Sequence, residues 1–125
     1  MLNLRSEKII FINMKKIKIK CWIEDDNDKF YGPGPNELLK LIHKKGSLSK
    51  VAVQMKMSYK KSWEIVQRLN LHSTESLVIL KKGGQHGGRA EVTPHALEII
   101  EEYENLQKRM GELVTQEEKS MKILK

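Results

Sequence analysis

The chain of 125 residues is 39% hydrophobic and 31% charged, with a formal net charge of +7. A chain of this size holds one core and an added arm, and the balance of residue types excludes compositional disorder. No apolar run nears the roughly 20 residues of a spanning helix, and no small-residue cleavage site follows Lys8 to Met14, so no membrane partner is expected. The single cysteine, Cys21, excludes an internal disulfide framework and any Cys-pair zinc site, and a cytoplasmic protein is the expectation.

Charge is unevenly spread. Residues 1–35 carry 7 basic and 5 acidic side chains, residues 36–89 carry 11 and 3, and residues 90–125 carry 5 and 8. A concentrated basic block suits a polyanionic partner, because each neutralised phosphate releases counterions. A lysine-rich solvated surface is the plainer reading of the same numbers.

In chain order, residues 1–13 have no clear period and read as an N-terminal extension, with Met14 a second candidate start. Ile17, Ile19, Cys21 and Ile23 alternate with Lys18, Lys20, Trp22 and Glu24, which predicts a strand with Cys21 as a small buried hydrophobe. Asp25 to Asp28 is a turn by composition, and Phe30 and Tyr31 begin a return strand. The run GPGP (32–35) opens a helix whose first turn takes Pro35, with Leu38, Leu41 and Ile42 inward and Gly46 as its C-terminal cap. Ser49 is the expected N-cap of a short second helix, Lys50 to Met55, burying Val51, Ala52 and Met55. Ser58 caps a third helix from Tyr59 to about Asn70, with Trp63, Val66 and either Leu69 or Asn70 inward.

Two short helices joined by a tight turn, the second opening on Tyr-Lys-Lys, describe a helix-turn-helix. The second helix must carry exposed donors at its N-terminal end and an apolar back, and Lys60, Lys61, Glu64, Gln67 and Arg68 supply the outer face. Residues 77–80, a Gly-rich basic loop and Ala90 to Val92 then form a hairpin in the position of a wing, with Lys81, Lys82, His86 and Arg89 as its cations and donors. The loop is no nucleotide cradle, since neither a Gly-Lys-Ser/Thr helix start nor a βαβ unit accompanies it. Thr93 caps and Pro94 opens a last helix reaching toward the C-terminus. Its stripe includes Ile99 or Ile100, Tyr103, Leu106, Met110 and Leu113 or Val114, more than a small domain can cover, which predicts a homodimer with Ile100, Tyr103, Leu106, Met110 and Leu113 at the contact. Packing on their own domain accounts well for residues 96–103 and poorly for residues 106–124.

The segments IKIKCWIE (17–24), YGPGPNELLKLI (31–42), GSLSKVAVQMKMSYKKSWEIVQRLN (46–70) and VILKKGGQHGGRAEVTP (78–94) resemble the N-terminal domain of the molybdate-responsive regulators (ModE), a LysR-related winged-helix group. The resemblance implies a dimer that binds double-stranded DNA through the third helix and the wing. It assigns Ser58, Tyr59, Lys60, Lys61 and Glu64 to the recognition helix, Ser47 and Ser49 to phosphates, and Lys81, Lys82, His86 and Arg89 to the wing. Glu64 suits either a cytosine amino group or an intrahelical pair with Lys60 or Lys61. Lys56 stands where the family has a turn glycine. The resemblance stops before the oxyanion-sensing domains of full-length members, so a stand-alone form is expected and molybdate binding is not.

The expected fold is mainly α with a small β component: a winged helix-turn-helix (14–94) with an N-terminal β-hairpin and a long C-terminal dimerisation helix (95–125). The expected function is that of a sequence-specific DNA-binding transcriptional regulator. The competing class is an RNA-binding or protein-interaction winged helix without operator specificity. No enzyme is expected, since no nucleophile–base pair appears. No cofactor or metal is expected either, since the histidines lack metal-ligand spacing.

Overall fold

A computed structural model describes residues 15–83 and 88–125; the expected extension over residues 1–13 and the wing residue His86 lie outside the described residues. The elements run β1 (Ile23–Asp25), β2 (Asp28–Tyr31), α1 (Pro33–Lys45), α2 (Leu48–Gln54), α3 (Tyr59–His72), β3 (Val78–Lys81), β4 (Arg89–Val92) and α4 (Pro94–Glu118), then a 3-10 turn at Lys122–Leu124. Residues 20–104 form one compact unit, and residues 15–19 with 105–125 belong to another. The boundary falls inside α4, because Ala96 and Tyr103 are buried in the larger unit with Ile99 and Ile100 packed beside them.

β1 and β2 pair antiparallel through a two-residue turn in which Asp26 and Asn27 have φ of 52° and 68°. Asx side chains tolerate that left-handed pair, whose twist suits a hairpin. The pairing shifts register between Ile23 and Glu24, a bulge that ends the ladder at Tyr31. The strand expected over residues 17–24 is therefore present only from Ile23. β2 stops where Gly32 caps α1, so the residues before Ile23 have no ladder partner among the described residues, and Ile19 and Ile23 are exposed.

α1 begins at Pro33, which puts Pro35 in its first turn as expected, and Asn36 N–H donates to Gly32 O at 2.9 Å. Neither proline loses a helical bond, since the first-turn N–H groups have no intrahelical acceptor. Gly46 ends the helix at φ 67°, with its N–H on Ile42 O. Ser47, not Ser49, caps α2: its Oγ accepts from Lys50 N at 3.3 Å. The earlier start brings Leu48 into the core beside Val51 and Ala52. Ser58 caps α3 as expected, accepting from Lys61 N at 3.0 Å.

The inward stripe of α3 is Ser62, Val66 and Leu69, so Trp63 is 43% exposed rather than core. Spacing of four and three residues keeps those side chains on one face, and Trp63 stands about 100° around from Ser62. The small Ser62 hydroxyl is satisfied by donating to Tyr59 O at 2.7 Å. Asn70 joins α3 to β3: its Oδ1 accepts from Leu77 N at 2.8 Å and Val78 N at 3.1 Å, and its Nδ2 donates to Val78 O at 3.0 Å. β3 and β4 pair in unbroken register from Val78–Val92 to Lys81–Arg89. Thr93 caps α4, accepting from Ala96 N and donating to Ser76 O. α4 ends at Glu118 rather than continuing to the C-terminus.

A second clamp holds the first hairpin to α3. His72 Nδ1 meets Asp25 at 2.8 Å and Nε2 meets Asp28 at 3.1 Å, while Arg68 donates to the Asp28 carboxylate and to Lys29 O. The Asp25 bond is the largest cause of a His72 pKa above its ordinary 6.5, with burial opposing it. A raised folded-state pKa contributes stability that is full below 6.5 and is lost as pH rises through the folded value. The urea midpoint is therefore expected to be higher below about pH 6.5 than above the raised pKa, and His72→Gln is expected to flatten that dependence. An identical slope in the variant would place the titrating group elsewhere.

The turn after α2 closes through Met55 N on Val51 O and Met57 N on Ala52 O, and it puts Lys56 at φ 57°. A left-handed lysine crowds its own Cβ against the carbonyl, which glycine avoids. Lys56→Gly is expected to raise stability by roughly 0.5–1 kcal/mol in urea unfolding. A loss of stability would show that the Lys56 side chain holds the turn.

Candidate nucleic-acid interface

α2, its turn and α3 build a helix-turn-helix whose back is closed by Val51, Ala52, Val66 and Leu69. With those side chains inward, the first turn of α3 faces water: Tyr59 is 52% exposed, and Ser58, Lys60, Lys61 and Glu64 are exposed with it. The helix end adds partial positive charge to the two lysines. Ser58 commits its oxygen to the cap, so its hydroxyl hydrogen remains to donate. Trp63 lies one turn beyond Tyr59 and is a large exposed aromatic at this end of α3 that the sequence reading put in the core. The signal that could have found it was Ser62, small enough for the buried position and in phase with Val66 and Leu69. Arg68, expected on the outer face, is engaged with Asp28 and Lys29.

The wing brings Lys81 and Arg89 directly opposite each other across β3 and β4. Like charges in that register repel, and an anion between them relieves the repulsion. Lys81 also meets Glu91 at 3.2 Å, whereas Lys82, past the end of β3, is exposed. At the foot of the wing Ala90 N donates to Gly46 O at 3.0 Å. That bond sets Ser47 and Arg89, the next residues along each chain segment, at one junction. Ser49 is exposed in the first turn of α2.

The residues expected at a dimer contact divide. Tyr103 is 3% exposed, stacks edge-on against Tyr31 with ring centres 5.0 Å apart, and donates from its hydroxyl to Cys21 O at 2.8 Å. It serves the interior of its own unit, and burial is the main cause of the rise in its pKa. Ile100 is half-buried beside that core. Leu106 and Leu113 are 40% and 58% exposed, and Met110 is half-buried. Among the described residues no group of three or more His, Cys, Asp or Glu could hold a metal ion, and no helix is long and apolar enough to cross a membrane.

No protein-family model matches the chain. It is 30% identical over 95 residues to the transcriptional regulator ModE of Haemophilus influenzae, a match covering 76% of this chain and 37% of that protein. It is 33% identical over 86 residues to the molybdenum-pterin-binding protein MopB of Rhodobacter capsulatus, covering 69% and 32%. It is 35% identical over 77 residues to the DNA-binding transcriptional dual regulator ModE of Escherichia coli, covering 62% and 29%. The chain thus spans about a third of the length of these curated relatives. Among solved structures it resembles Lactococcus lactis ZitR, a zinc-responsive MarR family member, with a TM-score of 0.52 at 15% identity over 98% of this chain and 88% of that one. A point mutant of ZitR in complex with DNA matches with a TM-score of 0.54 at 12% identity, covering 97% and 82%. At those identities the likeness speaks for the fold, a winged helix. Sequence and fold agree that the chain is a ModE-like winged helix-turn-helix protein.

Proposed function

We propose that the chain is a transcriptional regulator that binds double-stranded DNA, with the first turn of α3 in the major groove and the wing on the sugar-phosphate backbone. The observation that carries this reading is the solvated, Ser58-capped start of α3, with Tyr59, Lys60 and Lys61 outward over an apolar back. Side chains at that end of a helix reach base edges when its axis lies in the groove. Ser47, Ser49, Lys81, Lys82 and Arg89 are assigned to phosphates, and His86 joins them by sequence alone. Glu64, one turn past Lys60, is assigned to a base amino group.

The two basic elements divide the work. Replacing Lys60 and Lys61 with Ala is expected to lower affinity for a selected operator by roughly 1–3 kcal/mol per lost base contact and to relax sequence preference. Lys82→Ala with Arg89→Ala is expected to weaken selected and random duplexes alike, lowering the salt slope by about one unit per lost phosphate contact. Fluorescence anisotropy over a salt series reads both. An unchanged slope in the wing variant removes the wing from the interface, and an RNA of equal length that competes as well as the operator replaces the DNA reading.

Leu106, Met110 and Leu113 recur along α4 at a spacing of four and three residues, and this half-exposed stripe supports a second copy of the chain as its partner. Ile100 lies about 120° around the helix from Leu106 and packs beside its own core, so it is not assigned to this contact. A two-fold dimer would read two half-sites set one helical turn apart, on the order of 34 Å, or a multiple of it. Leu106→Glu with Leu113→Glu is expected to give a monomer in sedimentation and to weaken operator binding. A wild-type chain that stays monomeric at high micromolar concentration overturns this assembly.

A further inference from the structure

A cavity of about 410 Å³ lies within the larger unit, bordered by the first hairpin, the start of α1, the turn after α2 and α3. Trp22, Phe30, Pro35, Met55, Met57 and Ile65 supply apolar walls. Its charged lining has one sign only: Lys29, Lys61 and Arg68, with no carboxylate among the lining residues. The volume is that of a small-molecule site, and apolar walls with a few convergent polar groups are the usual chemistry of one.

Two of its parts are held in place. The Trp22 ring packs so closely on Gly32 that a Cβ built there would collide with it, so only glycine lets the indole sit where it does. The Arg68 guanidinium is fixed by the Asp28 carboxylate and by Lys29 O at 2.7 Å. Lys29 and Lys61 have no acidic partner among the described residues. The cavity therefore combines a positioned aromatic wall with two uncompensated ammonium groups. Its walls ask for a flat apolar body, and its lysines ask for a single anionic group rather than a fully hydrated polyanion.

We propose that this cavity binds a small aromatic monocarboxylate, its ring against Trp22 and its carboxylate at Lys29 and Lys61. Lys61 also belongs to the DNA-facing turn of α3, so ligand and duplex compete for it. That second clause rests on the DNA-binding reading above, whereas the ligand site itself does not.

The probe is 2-naphthoate, with the uncharged 2-naphthamide as its isostere, titrated into the full chain and followed by ¹H–¹⁵N NMR. The indole N–H signal of Trp22 is expected to shift, while that of Trp63, which does not line the cavity, stays. The naphthoate should bind roughly fivefold more tightly than the amide, as one partly exposed ion pair allows. Lys29→Glu should remove that preference while leaving amide binding intact, which also shows that the variant is folded. Equal affinities for acid and amide, or an unmoved Trp22 signal at millimolar naphthoate, overturn the site. In anisotropy, saturating naphthoate should weaken duplex binding by the factor by which duplex weakens naphthoate binding. Unchanged duplex affinity overturns the competition. A chain that takes naphthoate but no duplex overturns the DNA reading alone, and one that takes duplex but no naphthoate overturns the cavity alone.

Discussion

Tyr31 is the residue on which the larger unit is assembled. Its side chain is 1% exposed, yet it ends in a hydroxyl that must be satisfied. The hydroxyl donates to Asn36 Oδ1 on α1, and Asn36 Nδ2 donates to Glu104 on α4 at 3.0 Å. Lys40 completes the chain at 2.8 Å from the same Glu104 oxygen, and chiefly through that bond the carboxyl is held below its usual range. The ring meets Tyr103, whose own hydroxyl returns to Cys21 just ahead of β1. One aromatic pair and one polar chain thus fix the hairpin, α1 and the first part of α4 together. Burial is the main cause that lifts the Tyr31 pKa well above its ordinary 10.0, so the phenol stays a donor throughout the neutral range.

That arrangement sets the purpose of the remaining elements. With the hairpin and α4 secured behind α1, α2 and α3 are left to present a surface. Gly46 makes the corner that starts α2, and its carbonyl anchors the wing at Ala90. Asn70 anchors the other wing strand from the end of α3. The helix with the exposed lysines and the hairpin with the opposed cations are therefore rooted in the same core, by hydrogen bonds rather than by chain connectivity alone.

Much of this was legible from the residues. The caps at Ser58 and Thr93, the terminator Gly46 and the wing hairpin follow from local chemistry, which acts within a few residues. Errors arose where tertiary context decides. Alternation at Ile17 to Ile23 reads as a strand, but a ladder needs a partner, and among the described residues β2 offers none past Gly32. Ser49 and Ser47 are equally good caps by type, and the burial of Leu48 selects Ser47. Trp63 reads as core by hydrophobicity, yet Ser62 fits closer between α3 and its neighbours. Tyr103 lies on a continuous apolar stripe with Leu106 and Leu113, and nothing in the period reveals that burial ends between them. The cavity was invisible, because its lining comes from two stretches, residues 22–35 and 55–68, that only the fold brings together.

β3 shows Ile79 and Leu80 to solvent at 46% and 36%, in a sheet of only two strands. Such a sheet leaves open edges, where unpaired amides and carbonyls invite another chain to add a strand. Lys81 and Lys82 follow those two apolar residues directly, and Arg89 faces Lys81 across the ladder. Their mutual repulsion between copies makes stacking of one wing on another unfavourable. The positive charge at the end of the hairpin thus disfavours edge-to-edge pairing of two wings, and leaves any association through α4 untouched.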